Sequence, residues 1–447
     1  MSNSTAAVRR GFVATAAVTL LLAAVSPACA DSVRSRQWHL DAMQAEQMWA
    51  TSRGENITVA VIDSGVDAAN PDLQGRVLDG KDLASDSPGD EHTDYDNHGT
   101  GMAALIAGTG ESAAGDGAFG LAPGVNILPV RMRDDTGKVN GATGSKNFND
   151  DLTAAIRYAA DRGARVISVS LGNESGSRQL DDAVKYALAK GSLIFAAVGN
   201  SAESGNAVQY PAGTPGVVGV GSVGKNLQRA QISQYGPQVD LSAPGVDMVH
   251  ACSGGSGLCK SSGTSDATAI ASASAALIWS KYPDWTNNQV LRVLLNTAGG
   301  PTTGEERVDD IGYGIVRPRI ALKTPGDPGP ADEYPLPDLA AAESPTPSAE
   351  PTKAAGGSEE SDKPAAAAPA SEESGNTTLW VGLGIGAAAL IGAAVAVVAI
   401  RSRRRGAAPT VPHPYQQQPR YPSSGASPGA SGSGAPYGGS PGQGPTA

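Results

Sequence analysis

Between Ile57 and Val223 the chain alternates short apolar runs with amphipathic stretches, and this alternation restricts the possible folds more than any other feature. ITVAVI (57–62), NILPV (126–130), RVISVSL (165–171), SLIFAAV (192–198) and GVVGVGSV (216–223) are dominated by apolar residues, as in strands buried on both faces. Among them, DDLTAAIRYAADRG (150–163) and LDDAVKYALAKG (180–191) place apolar residues at i, i+3 and i+4 and end in glycine, as amphipathic helices do. Strands alternating with helices predict a three-layer α/β/α domain, with a mostly parallel sheet covered on both faces. In such sheets, ligands sit beyond the carboxyl ends of the strands. The stretch 133–149 is polar and rich in Gly and Asn, and is predicted to be a mobile loop.

The flanks have a different composition. Ten of the 31 prolines fall in residues 321–378 and nine in 406–447. Segment 321–378 also carries 11 acids against 3 lysines. It cannot bury enough apolar surface to order itself, so it is expected to be a disordered acidic linker. Residues 401–447 read as a low-complexity tail, more a solvated segment than a ligand for a proline-binding module. The 290 residues from 31 to 320 remain, enough for one well-buried core.

Both ends carry membrane signals. Arg9 and Arg10 precede an apolar run from Gly11 to Val25, and Ala28-Cys29-Ala30 fits a small-x-small cleavage site. Residues 1–30 are therefore read as a signal peptide. The alternatives are an uncleaved anchor, for which the run is short, and a lipoprotein site at Cys29, which Pro27 fits badly. Residues 379–400 are read as a transmembrane helix. Trp380 to Ile400 carries no charge over 21 residues, which at about 1.5 Å each matches the bilayer core. Arg401, Arg403, Arg404 and Arg405 follow at once, which places the tail in the cytoplasm and residues 31–378 outside. The expectation is a single-pass type I protein in contact with the lipid bilayer. With Cys29 removed, Cys252 and Cys259 are left as a pair in an exported domain, where a disulfide is expected. A zinc site would need further ligands nearby.

The net charge is −11 and only 4% of residues are aromatic. With no basic cluster and few stacking platforms, nucleic acid is excluded as a partner.

Three motifs carry chemistry. VAVIDSGVD puts Asp63 at the end of a buried strand, where a carboxylate needs a hydrogen-bond partner. DNHGTGMAALIAG puts His98 just before a helix of small residues. SSGTSDATAIASASAALIWS puts Ser265 at the start of a long small-residue helix, where its own N–H can face developing negative charge. Alone, each is ambiguous: a strand-end turn, a capping or core histidine, a serine N-cap. Together, the order Asp…His…Ser in these contexts resembles the subtilases.

The resemblance extends over residues 57–300. AAVGN places Asn200 where that family keeps its oxyanion asparagine. SVSLGN (168–173) and APGV (243–246) match it as well. The resemblance implies that His98 takes the Ser265 proton, that Asp63 orients His98, and that Asn200 and the Ser265 N–H bind the oxyanion. It further implies that Ser170, Leu171 and Gly172 receive the substrate as an added strand. Ala197, Val198 and Gly199 would line the specificity pocket. Protein or peptide substrates follow; no cofactor is expected, and no acidic loop is assigned to calcium.

Three departures stand out. Asp266 replaces the methionine that usually follows the nucleophile, which is expected to alter leaving-side preference or raise the proton affinity of His98. Ala269 replaces a proline. Only 26 residues separate the expected signal cleavage site from Ile57, too few for the folding pro-domain of many secreted subtilases. QWHLDAMQAEQMWATSRG reads instead as a helical segment that packs on the domain. The overall architecture is similar to the mycosins, membrane-anchored proteases of type VII secretion systems. That similarity implies an anchored endopeptidase whose partners are components of the secretion membrane complex. The alternative is a mainly structural component of that complex, with proteolysis secondary.

Overall fold

The computed structural model describes residues 32–112, 115–133, 142–254 and 257–343. The expected signal peptide, transmembrane helix and tail, and the linker beyond 343, lie outside these residues. Among the described residues no helix is long and apolar enough to cross a membrane.

Three short helices open the chain: α1 (Val33–Arg36), α2 (Trp38–Met43) and α3 (Ala45–Trp49). They pack on the domain through buried Leu40, Met43 and Met48, and two indole N–H groups fasten them. Trp38 donates to the Val246 carbonyl at 2.9 Å and Trp49 to that of Leu121 at 2.9 Å.

The centre is a sheet of β1 (Thr58–Asp63), β2 (Lys81–Asp82), β3 (Asn126–Arg131), β4 (Val166–Val169), β5 (Leu193–Ala197), β6 (Val218–Val223) and β7 (Leu241–Pro244). Their order is β2-β3-β1-β4-β5-β6-β7, with every neighbouring pair parallel. Side chains alternate between two cores. Val59, Val61, Leu193 and Phe195 face α4 (His98–Ala107), α7 (Thr264–Lys281) and α8 (Asn287–Thr297). Ala60, Ile62, Ile194 and Ala196 face α5 (Ala142–Asp161) and α6 (Arg178–Ala189). That double burial is why the strand sequences are apolar on every residue rather than on every second one. Helix α7 lies against β1, β4, β5, β6 and β7, and its run of Ala and Ser lets it approach them closely.

An antiparallel hairpin of β8 (Met248–Ala251) and β9 (Leu258–Ser261) precedes α7. The chain crosses from one half of the sheet to the other between β1 and β4, where the register sets Ile62 opposite Val169. This is the topological switch point, so a crevice is expected beyond Asp63 and Ser170.

Two sequence expectations are corrected. Helix α5 begins at Ala142, inside the stretch read as a loop. Buried Asn149 secures it by donating to the Ser175 carbonyl at 2.8 Å, a long-range bond that composition does not reveal. Nor does the domain end at residue 320. The chain continues through α9 (Pro318–Lys323) to α10 (Pro337–Glu343) on the domain surface. Arg292 donates to the carbonyls of Pro328, Pro330 and Glu333, Tyr334 donates to that of Gly216, and Leu336 is buried. Acidic, proline-rich chain is held here by backbone carbonyls, which any sequence offers.

Candidate active site

Asp63 ends β1 in full burial. Its Oδ1 accepts from the Ser64 N–H at 2.8 Å and from His98 Nδ1 at 2.7 Å. The carboxylate can only accept, so Nδ1 carries the hydrogen, and in the neutral ring Nε2 is the lone-pair acceptor. Asp63 is the main cause that raises the proton affinity of His98, and a charged Asp266 or Asp94 adds to it.

His98 is the first residue of α4, reached through Asn97 in the left-handed conformation at φ 61°. The helix start is pressed against the end of β1. A Cβ at Gly99 would lie 2.1 Å from the Gly65 carbonyl oxygen and 3.0 Å from Asp63 Cβ, so glycine is required there. A polar lattice locks this approach. Ser64 Oγ accepts from Gly99 N–H at 3.0 Å and donates to Asp94 Oδ1 at 2.8 Å. Asp94 Oδ2 accepts from the Thr100 N–H and hydroxyl at 2.8 and 2.6 Å.

Ser265 is the second residue of α7. Its hydroxyl donates to the Ser170 carbonyl at 3.2 Å, and the Ser170 hydroxyl donates back to the Ser265 carbonyl at 3.4 Å. Ser170 directly follows β4, and by register it continues the row opposite Asp63 on the neighbouring strand. Adjacent strands are about 4.8 Å apart, so Ser265 is tied to a position one strand from the Asp63–His98 pair.

Asn200 follows β5. Its Oδ1 accepts from the Thr264 N–H at 2.9 Å and hydroxyl at 3.2 Å. Thr264 Oγ1 in turn accepts from Gly199 N–H at 3.2 Å. With its oxygen so held, the amide presents Nδ2, a donor, beside the N-terminus of α7.

The remaining expected residues divide. Ser170, Leu171 and Gly172 leave the sheet and end at Asn173, which pairs backbone to backbone with Tyr210. Ala197 is nearly buried and Val198 turns wholly into the core, so of the three expected pocket residues only Gly199 is part-exposed. Cys252 and Cys259 form the disulfide, with Cα atoms 5.8 Å apart at the loop end of the β8–β9 hairpin. Asp266 is buried, its carboxyl raised to about 6 by that burial, and it is hydrogen-bonded to the Ser261 hydroxyl. Among the described residues no group of His, Cys, Asp or Glu could hold a metal ion.

Ser64, Asp94, Thr100 and Thr264 support these groups and were missed in the sequence. The local signals were the positions of Ser64, Thr100 and Thr264 in DSG, HGT and GTS, and of Asp94 four residues before His98.

The subtilase family model matches residues 54–316. Subtilisin E of Bacillus subtilis is 37% identical over 247 residues, which are 55% of this chain and 61% of the relative. The match thus spans only about three fifths of the length of that relative. MycP1 from Mycobacterium smegmatis has a similar structure (TM-score 0.58, 28% identity), covering 66% of this chain and 86% of that one. So does the MycP3 protease from the type VII (ESX-3) secretion system (TM-score 0.55, 33% identity), covering 64% and 87%.

Proposed function

The chain belongs to the subtilase family, and from that membership we propose that it is a serine endopeptidase acting through Ser265, His98 and Asp63. The observation that carries this reading is the 2.7 Å bond from His98 Nδ1 to Asp63, which leaves Nε2 free to accept a proton. The Ser265 hydroxyl turns from the Ser170 carbonyl toward Nε2 once substrate is bound. His98 takes the proton as Oγ attacks the scissile carbonyl, and Asp63 stabilises the imidazolium. The Ser265 N–H, Asn200 Nδ2 and the positive end of the α7 dipole receive the oxyanion. His98 then protonates the leaving amine, and water repeats the sequence on the acyl-enzyme. The substrate backbone lies as a strand along Ser170–Gly172.

The endopeptidase is anchored by residues 379–400 and works outside the membrane in type VII secretion. The apolar run followed by four arginines and the similarity to MycP3 support this. A fluorophosphonate probe tests the chemistry: it labels the full-length chain and fails on Ser265→Ala. Absence of labelling on folded wild-type protein would leave a structural component of the secretion complex instead.

A further inference from the structure

Behind the nucleophile lies a buried polar chain that the mechanism above does not use. Asp266 follows Ser265 in α7 and is hydrogen-bonded to the hydroxyl of Ser261, the last residue of β9. Ser261 Oγ is 2.9 Å from Nε2 of His250 on β8, and His250 Nδ1 is 2.9 Å from the Ala251 carbonyl. Asp266 and His250 are both almost fully buried. The imidazole lies over α4, where a Cβ at Gly101 would come within 2.6 Å of it. The chain therefore links the hairpin to both helices that supply the site.

Counting donors fixes the proton content. The Ala251 carbonyl only accepts, so Nδ1 must carry a hydrogen. Two arrangements then satisfy every atom. In one, His250 is neutral, Ser261 donates to Nε2, and Asp266 is a carboxylic acid donating to Ser261. In the other, the Asp266 proton has passed to Ser261 as the Ser261 proton passed to Nε2, giving a carboxylate and an imidazolium. If that shared proton is lost, the single Ser261 hydrogen faces two acceptors and one goes unpaired, which is costly in a buried site.

We propose that Asp266, Ser261 and His250 form a one-proton relay that keeps Asp266 uncharged beside Ser265, so that His98 answers chiefly to Asp63. Asp266 is thus a positioning residue for the proton affinity of His98, and this inference rests on the endopeptidase reading. Burial pushes Asp266 up and His250 down, both toward the uncharged arrangement. The groups that face the relay are few. His98 on α4 acts on Asp266 and His250; Asp63 on β1 and Asp94 before α4 act on His98; His250 in turn acts on His39 of α2, which is itself beside Arg34.

The test reads the pH at which fluorophosphonate labelling of Ser265 is half-maximal on the acid limb. His250→Gln frees Ser261 to stabilise an Asp266 carboxylate. A charge that interacts with His98 in a partly screened site moves that midpoint upward by about one pH unit. In Asp266→Asn/His250→Gln the midpoint returns to the wild-type value. An unchanged midpoint in His250→Gln, or a shift that persists in the double variant, would overturn the relay, whereas a purely structural role would change stability and leave the midpoint in place. Should these variants misfold, ¹⁵N-histidine NMR of the wild-type full-length chain keeps the proposal falsifiable. A neutral His250 protonated on Nδ1 is expected, and an imidazolium at neutral pH would refute the proposal. Failure of the endopeptidase reading is distinct: it shows as wild-type protein that takes up no label, whatever His250 does.

Discussion

Replacing Asp63 by asparagine separates two services that the carboxylate performs for His98, fixing its tautomer and stabilising its charge. In the native site Oδ1 accepts from both Ser64 N–H and His98 Nδ1, while Oδ2 is buried without a partner among the described residues. An amide with its oxygen at the Oδ1 position keeps both bonds and leaves its NH2 unpaired, at a cost of roughly 1–3 kcal/mol. Flipped, it would point NH2 at two N–H donors and lose both bonds, so the unflipped orientation wins. The tautomer survives and only the charge is lost. Unit charges about 5 Å apart at an effective dielectric of about 20 interact by about 3 kcal/mol. The His98 side chain is 38% exposed, and solvent screening lowers this to about 2–3 kcal/mol. We therefore expect kcat/KM on a fluorogenic peptide to fall about 10²-fold, against about 10⁴ in a serine-protease triad where the same change leaves the wrong tautomer. Because Asp63 raises His98, the acid limb of the profile should also move to lower pH. A loss of 10⁴ or more, or an acid limb that stays in place, would refute this account of how Ser64 pins the carboxylate.

Thr264→Val removes the hydroxyl between Gly199 and Asn200 but keeps the Thr264 N–H on Asn200. Steady-state kinetics should show kcat down about threefold to tenfold with KM little changed, well short of the about 10²–10³ measured in subtilisin when its oxyanion asparagine is removed. His39 is buried with neither ring nitrogen bonded among the described residues, and burial holds its imidazole down at about 3. The unfolded chain binds a proton there near pH 6.5 and the native one does not, so stability falls as pH drops from 6.5 toward 3, by up to about 1.4 kcal/mol per pH unit. His39→Leu should flatten that slope, read as the difference between urea midpoints at pH 7 and pH 5. Arg292→Ala releases the three carbonyls that hold segment 324–336, and limited proteolysis should cut there sooner while the Ser265 labelling rate is unchanged.

What the sequence disclosed and what it concealed divide along one physical line. The five central strands and α6 were legible because burial on two faces, or on one helical face, leaves a periodic apolar record, as in Val59 to Ile62 or in Leu180, Val184 and Ala187. Asp63, His98, Ser265 and Asn200 were legible because each sits where a strand ends or a helix begins, with small residues that allow close approach. Concealed features depend on contacts between polar side chains and distant backbone. The first two turns of α5 and the run from Ala321 to Glu343 have the composition of loops, yet Asn149, Arg292 and Tyr334 hold them by carbonyls. Asp266 is the sharpest case. In sequence it is a carboxylate beside the nucleophile, to be placed toward the substrate or toward His98. Only the fold brings Ser261 and His250 behind it, and with them the donor count that assigns its proton. A local motif can thus name the reacting groups, while the protonation states that let them react are set by side chains that only tertiary packing brings into contact.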